Sequence, residues 1–581
     1  MCGIAGMACL PGYRPDPEIL DRMAQALRHR GPDGGGLHRT DTAALVHRRL
    51  SIVDLEGGAQ PLVHGAVALV ANGEIYNDPA LRHVLADAPF RTGSDCESPL
   101  FLWPQLDAGY TFELRGMYAI ALLDESGPQT VLALSRDPFG IKPLYYAQIQ
   151  SGILFASEPQ ALLATGLVPR TIRPEARDQL LQVQFVAGRE TIYPGIMRVL
   201  PGETLRFVDG VLEYAKKQPA VHGAIEKSLT EETALARLDA ALMDSVQAHE
   251  RADVPFGMFL SGGIDSSAVL AAMTRLGNGA PLAWTARFDT GGVDESAQAA
   301  GLARSLGAQH RILTVSEAMV WRHLPEIVAC LDDPVADYAV IPSWFLARDA
   351  RKDVTVILSG EGGDELFGGY GRYRRAMRPW WCGGRLPWRR GMMDGVCRLP
   401  NGRKWRQNFV PPTGETRLKA VQRLDLAEWL PNDLLIKLDR CLMAHAIEGR
   451  TPLLDPALSA LAWSLPDSLK IRGGQGKYLL RRWVEKNVPD AMPFAPKQGF
   501  TVPVGEWIAA QGDRLGPLVA RSMAFKGVIA PGTILALFTR AAGRRERHAA
   551  WALLFYALWY RIHIETGSFE GDVFETLAAR P

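Results

Sequence analysis

The hydrophobic pattern of this chain changes character once, between residues 195 and 228, and that change limits the folds open to it. Ahead of it, short apolar runs such as AALVHRRLSIVDL, VALVANGEIYN, YAIALLD and TVLALSRD are separated by Gly, Pro, Asp and Asn. Runs of this length between turn residues read as strands. Helical stretches interrupt them at 17–28, 79–85, 97–106 and 159–163. Strands in series with few helices predict an α+β layered domain. LPGETLRFVDGVLEY reads as its last hairpin, followed by a polar connector. Beyond it, TEETALARLDAALMDSVQAHE is an amphipathic helix with a threonine and acidic residues in its first turn. VPFGMFLSGGIDSSAVLAAMTRL then reads as strand, tight glycine turn and helix, and LAWTARF and DVTVILSG as further strands. That alternation predicts a doubly wound parallel sheet, mostly helical after about residue 435. The expected division is 1–215, a connector at 216–228, and 229–581.

Composition excludes several classes. With 581 residues, 47% hydrophobic and 22% charged, the chain is long enough for several cores and too apolar to be disordered. Its 64 basic and 63 acidic residues give a net charge of +1, so no global attraction to nucleic acid or anionic membrane is expected. Seven scattered cysteines without C-x-x-C spacing argue against zinc and a disulfide framework and fit a reducing compartment. The first 20 residues lack a basic segment followed by a long apolar run, and the longest apolar run, 549–560, is short for a bilayer. The expectation is a cytoplasmic protein in which 549–560 is a buried core helix. Between Arg374 and Arg406 lie ten Lys or Arg and one acid, Asp394, with Trp380, Trp381, Trp388 and Trp405 interleaved. This stretch reads as a helical excursion with a solvated basic face and tryptophans docked on the core, rather than as a nucleic-acid patch.

Cys2 carries the first chemistry. Removal of Met1 leaves a thiol and a free α-amine on one residue, and an amine of pKa near 8 can serve as base for its own thiol. An accidental cysteine in a frayed terminus is outweighed by the residues downstream of it: Arg49 with Leu50, Ser51, Ile52 and Val53, then NGEIYN from Asn72, then TGSD ending at Asp95. A free amino acid needs such a set, Arg for its carboxylate, acids for its ammonium and N–H donors for an oxyanion. MCGIAG, RLSIVD, NGEIYN, TGSD and SRDPFGIKPLYY in this order resemble the glutamine amidotransferase domain of the N-terminal nucleophile class. The resemblance implies that Cys2 attacks the glutamine amide, that the Asn72 side chain and the Gly73 N–H form the oxyanion hole, and that Arg49, Glu74 and Asp95 hold the α-groups. The segment from Arg49 through Leu50, Ser51, Ile52 and Val53 would line the site, and Cys96 reads as packing.

The second chemistry lies in Ser261-Gly262-Gly263-Ile264-Asp265-Ser266-Ser267, after a strand and at the start of a helix. Glycines let backbone N–H groups turn toward an anion, and the helix N-terminus adds its dipole. No lysine follows, so the loop is not a Walker loop, and its glycine spacing is not that of a G-x-G-x-x-G turn either. It matches the SGG-x-DSS loop of the ATP pyrophosphatase family, and LSGEGGDE at 358–365 supports it. Carboxylates at two strand ends, Asp265 and Asp364, suit Mg²⁺, and Lys477 is a cation for charge on the transferred group.

Together with LDRCLMAHAIEGRTPLLD, GKYLLRRWVE and KQGF, the two halves resemble the glutamine-hydrolysing asparagine synthetase family over nearly the full length. This implies an α+β N-terminal nucleophile hydrolase domain of layered sheets followed by an α/β ATP pyrophosphatase domain. It also implies Mg²⁺ and ATP, an acyl-adenylate of aspartate, and an ammonia channel. By motif matching, Leu260, Ala286, Ser359 and Gly360 would contact the adenosine portion, and Glu361 would assist the adenylate. The loop 332–338 is the expected acceptor pocket. Transfer to another carboxylate, of a sugar acid, peptide or secondary-metabolite precursor, is the alternative. The family also implies small-molecule partners and is commonly homodimeric; with the near-neutral charge and no apolar span, the expectation is no nucleic acid and no membrane.

Overall fold

The computed structural model describes the chain apart from residues 1, 290–294, 380, 382–390, 400–413, 489–490, 496–501, 541–542 and 580–581. Twelve strands are described up to Lys217: β1 (Gly3–Cys9), β2 (Gly34–Arg39), β3 (Ala43–Arg49), β4 (Leu62–His64), β5 (Val67–Ile75), β6 (Gly116–Asp124), β7 (Val131–Arg136), β8 (Tyr145–Ile149), β9 (Gly152–Ala156), β10 (Ile196–Arg198), β11 (Glu203–Val208) and β12 (Val211–Lys217). They form two antiparallel sheets, ordered β10-β8-β9-β1-β3-β2 and β12-β11-β7-β6-β5-β4. The period-two rule explains how strands that are apolar on every residue are used. In β1, Ile4 and Ala8 pack between the sheets, whereas Ala5, Met7 and Cys9 face the helices outside. In β6, Ala119, Ala121 and Leu123 point inward, and Tyr118, Ile120 and Leu122 meet the helix Ser98–Leu106. Helices Pro17–Ala26, Pro159–Leu163 and Pro174–Val183 cover the other face. The first of these starts where Asp16 accepts the Glu18 N–H ahead of Pro17, an N-cap with proline at the first position. The result is a helix–sheet–sheet–helix sandwich, a layered α+β domain. β12 runs two residues into the predicted connector, because the ladder with β11 continues to Lys217.

From Glu231 the architecture changes. A helix Glu231–His249, capped by Thr230, leads into a five-stranded parallel sheet. Its strands are β13 (Phe256–Phe259), β14 (Leu282–Phe288), β15 (Gln309–Val315), β16 (Val356–Leu358) and β17 (Glu448–Arg450), in spatial order β15-β14-β13-β16-β17. The chain steps one way from β13 to β14 and the other way from β16 to β17. Between β13 and β16 the winding reverses, and open parallel sheets bind ligands beyond the carboxyl ends of strands at such a switch point. SGGIDSS follows β13 and SGEGGDE follows β16, so both motifs flank that crevice.

The apolar run near the end lies in the helix Arg544–Tyr560, buried from Ala549 to Trp559. Trp551 and Trp559 donate their indole N–H groups to the carbonyls of Ala336 and Leu331, each at 2.8 Å. Among the described residues no helix is long and apolar enough to cross a membrane. Of the basic stretch, residues 380, 382–390 and 400–413, with Trp380, Trp388 and Trp405, lie outside the described residues, as do KQGF at 497–500. Trp381 is 71% exposed, so it is not docked on the core as expected.

Candidate active sites

Cys2 leads directly into β1, and the first sheet fixes it. It is buried, its N–H donates to Asn72 Oδ1 at 3.0 Å, its carbonyl accepts from Arg30 Nε at 3.1 Å, and its Sγ lies 3.9 Å from the Leu50 carbonyl. Asn72 is on β5 of the facing sheet, so sheet packing brings together residues 70 apart in sequence. With Oδ1 occupied, the fully buried Asn72 Nδ2 has no hydrogen-bond partner among the described residues. A buried donor left unpaired costs about 1–3 kcal/mol, and one beside a thiol is what an oxyanion requires. At Gly73 a Cβ would meet the Met117 carbonyl at 2.1 Å, so no side chain fits.

Glu74 and Asp95 are both buried next to this point. Glu74 Oε2 accepts from Arg450 Nη2 at 3.3 Å while Oε1 has no partner among the described residues, and Asp95 Oδ2 accepts the Ile75 N–H at 2.6 Å. Burial raises both carboxyls, Asp95 to about 6, and Asp95 adds to the rise at Glu74. Carboxylates raised in this way gain from a cation placed between them. Burial also pushes the Cys2 thiol up, so a base must take its proton. Arg49 donates to the carbonyls of Asp54 and Leu55 and braces the 49–55 segment. In that segment Leu50 and Ile52 are buried, the Ser51 N–H donates to Asp33, and the Val53 carbonyl lies 3.5 Å from Arg49. Cys96 packs with Leu100 and Trp103, its Sγ 3.6 Å from Asp95 Oδ2.

The crevice between β13 and β16 opens into a cavity of about 1020 Å³. Leu260, Ser261, Gly262, Gly263, Asp265, Ser266, Ser267, Ala286, Ser359, Gly360, Glu361, Asp364 and Lys477 all line it. The loop after β13 is held by its own hydroxyls: Ser266 and Ser267 donate to the Gly263 carbonyl at 3.1 and 2.8 Å, and Ser261 Oγ lies 3.1 Å from Ser266 Oγ. Gly262 has φ +67°, the left-handed turn that aims the loop at the helix Ile264–Leu276. That helix has no side-chain cap, which leaves its first N–H groups for an anion. Lys477 Nζ bridges Asp265 and Asp364 at 2.5 and 2.7 Å, and both carboxylates hold its pKa above the usual range against the effect of burial. Close by, Lys437 Nζ pairs with Asp337 at 3.1 Å and lies 3.9 Å from Glu361.

The acidic loop 332–338 departs from expectation. Asp332 and Asp333 face the first domain, not the cavity. Arg440 Nε donates to Asp332 at 2.8 Å, and Arg198 and Tyr145 donate to Asp333 at 2.7–2.9 Å. Arg30 donates to Glu158 and, across the interface, to Asp439, which Arg440 also holds. The carboxylates are buried because arginines from both halves cover them. None of the residues 332–338 lines the cavity; Ala339, just beyond the loop, does, and Asp337 pairs with the cavity lysine Lys437.

The family model for asparagine synthase matches residues 237–561, and that for a glutamine amidotransferase domain matches residues 1–217. The chain belongs to the asparagine synthase family. Asparagine synthetase [glutamine-hydrolyzing] 1 of Bacillus subtilis (strain 168) is 31% identical, covering 97% of this chain and 97% of its own. Asparagine synthetase B [glutamine-hydrolyzing] of Escherichia coli (strain K12) is 30% identical over 84% of this chain and 79% of its own. Sequence reasoning on this asparagine synthase chain missed Gly369, where a Cβ would lie 1.8 Å from Asp364 Oδ1 and 2.2 Å from Lys477 Cε. It also missed Lys437, Arg30 and Arg450. The pair Gly368-Gly369 after LSGEGGDELF was the visible signal for the first, and Arg450 lies within LDRCLMAHAIEGRTPLLD; Lys437 and Arg30 carry none in their local sequence.

Proposed function

We propose that the chain is a glutamine-dependent asparagine synthetase. One observation carries the reading: an unpaired buried amide donor beside a buried thiol, in the same chain as a nucleotide-sized cavity at a parallel-sheet switch point. In the first site the Cys2 sulfur adds to the glutamine side-chain carbonyl, with its proton passing to the α-amine freed by Met1 removal. Asn72 Nδ2 and the Gly73 N–H take the oxyanion, ammonia leaves, and water hydrolyses the thioester. Glu74 and Asp95 receive the substrate ammonium, and Arg49 the carboxylate.

In the second site the aspartate side-chain carboxylate attacks the α-phosphorus of ATP and pyrophosphate departs. Ammonia then adds to the acyl carbon and AMP leaves, with Glu361 taking the surplus proton. The loop 261–267 and Lys477 receive the phosphates. Asp265 and Asp364 converge on one ammonium, so their oxygens also suit Mg²⁺ alongside substrate phosphates. That ion supplies charge neutralisation of the polyphosphate. Between the sites, Leu50, Ile52, Met117 and Ile141 of the first domain belong to one apolar cluster with Leu358 and Leu454 of the second. Such a wall favours neutral ammonia over ammonium. We further assign 1–215 to glutamine hydrolysis and 229–581 to synthesis.

The test is a pyrophosphate-release assay with ATP, Mg²⁺ and candidate carboxylates, aspartate first. The expected products are AMP, pyrophosphate and asparagine; ADP in place of AMP rejects the adenylate route. Cys2→Ala is expected to abolish glutamine-dependent synthesis and to spare the ammonia-dependent reaction.

A further inference from the structure

The adenylate chemistry proposed above, on which this inference rests, places the acceptor beside Glu361 and away from the loop that holds the departing pyrophosphate. An aspartate bound there presents a second carboxylate and an ammonium, and the cavity must meet both. Three cationic side chains are found among the described residues lining it: Lys437, Lys477 and Arg481. Lys477 is held between Asp265 and Asp364 at the phosphate end. Arg481 is spent on backbone, donating to the carbonyls of Gly476 and Pro493. Lys437 differs from both. It projects from the helix Leu435–Met443, is 5% exposed, and makes one close pair, to Asp337 Oδ2 at 3.1 Å, with Glu361 Oε1 at 3.9 Å. An ammonium has three N–H donors, so this one can donate to a further carboxylate. Asp337 Oδ1 is meanwhile fixed by the Ala339 N–H at 3.0 Å.

We propose that Lys437 is the specificity-determining cation of the acceptor site, binding the α-carboxylate of an α-amino dicarboxylate, with Asp337 as the anion for its α-ammonium. The pair then directs the side-chain carboxylate toward the α-phosphate next to Glu361.

The experiment compares aspartate with its α-carboxamide, isoasparagine, which keeps the reacting side chain and removes only the α-charge. Pyrophosphate release with ammonia as nitrogen donor is measured for the full-length enzyme and for Lys437→Gln. The expected result is a preference of the unsubstituted enzyme for aspartate of about 100-fold or more in kcat/KM, as for other buried charge pairs. Lys437→Gln loses that factor on aspartate, changes little on isoasparagine, and brings the ratio below about tenfold. A ratio left intact in Lys437→Gln overturns the assignment even if both rates fall, because a merely structural lysine lowers both substrates together. Asp337→Asn gives an independent reading through the ratio of aspartate to succinate, which lacks the ammonium: it is expected to narrow, and an unchanged ratio removes Asp337 from the site. If Lys437→Gln does not fold, Lys437→Arg takes its place, with the ratio retained at a higher KM; collapse of the ratio with the charge kept overturns the proposal. Absence of pyrophosphate release from aspartate by the unsubstituted enzyme is a separate outcome that rejects the asparagine synthetase reading itself.

Discussion

Replacing Arg30 by methionine tests how the nucleophile is held. Arg30 is fully buried and makes four bonds: Nε to the Cys2 carbonyl at 3.1 Å, Nη1 to Glu158 at 2.6 Å and Asp439 at 2.7 Å, and Nη2 to Asp439 at 3.1 Å. Methionine keeps much of the volume and none of the donors. Removing one partner of a buried ion pair costs roughly 3–5 kcal/mol. Here the orphaned carboxylates keep other partners, since Arg440 lies 2.9 Å from Asp439 and 3.5 Å from Glu158, and His29 lies 3.2 Å from Glu158. The loss therefore falls at the low end, about 3 kcal/mol. At about 1 kcal/mol for every 2–4 °C in domains of this size, the melting temperature drops by roughly 6–12 °C. Cys2 also loses the donor that fixes its carbonyl. A displacement near 1 Å at a nucleophile costs on the order of 10²-fold, so glutaminase kcat/KM falls by about that factor. Ammonia-dependent synthesis at 25 °C, which bypasses Cys2, falls by less than about threefold on the same reasoning. Differential scanning fluorimetry and the two activity assays on one preparation decide the matter. A melting temperature within 2 °C of the parent, an order-of-magnitude figure below the smallest drop worked out here, or an equal loss of both activities, would refute the reasoning.

Asn72→Ala removes the unpaired donor beside Cys2 and is expected to lower glutaminase kcat by about 10²–10³ with little change in KM, measured as glutamate release. Asp95, raised to about 6, must be ionised to receive an ammonium, so glutaminase kcat/KM declines as pH falls through 6. Asp95→Asn flattens that limb of the profile at a lower level; a limb unchanged by the substitution assigns it to another group. Gly369→Ala forces a methyl against Asp364 and Lys477 and is expected to cut ammonia-dependent synthesis about 10²-fold while glutamine hydrolysis persists.

Much of this organisation was legible in the sequence because the chemistry depends on residue types at short spacing. SGGIDSS acts within one turn, and its hydroxyls bond to its own Gly263 carbonyl; Cys2 and NGEIYN were legible as separate short motifs, although sheet packing brings them together across 70 residues. The strands of the sandwich were readable for a related reason: YAIALLD is apolar on both faces because sheet and helix cover it. What escaped depends on partners far away. β17 is only Glu-Gly-Arg, and nothing local marks it as a buried strand. Arg450 lies inside because it donates to Glu448, to two backbone carbonyls and to Glu74, 376 residues distant. Arg30 finds Asp439 across 409 residues. β15 is an edge strand with most of its residues partly or fully exposed, so its apolar signal is diluted. The acidic loop 332–338 is the expected acceptor pocket, but Arg440 and Arg198, distant in sequence, bury its first two acids instead.

The helix Leu435–Met443 joins two of these findings. Successive residues of a helix turn by about 100°, so Lys437 and Asp439, two apart, project to nearly opposite sides. One reaches the cavity between β13 and β16 and the other accepts from Arg30, which also holds the Cys2 carbonyl. Its buried surroundings contain acids and arginines contributed by both halves, and each is tolerable only while its counterpart is present. This has a consequence for recombination. A half transplanted from a relative must bring matching charges at Arg30, Glu158 and Arg198 on one side and at Asp332, Asp333, Asp439 and Arg440 on the other, or it leaves buried ions without their counterparts. The two halves are therefore expected to be inherited, and engineered, as a matched set.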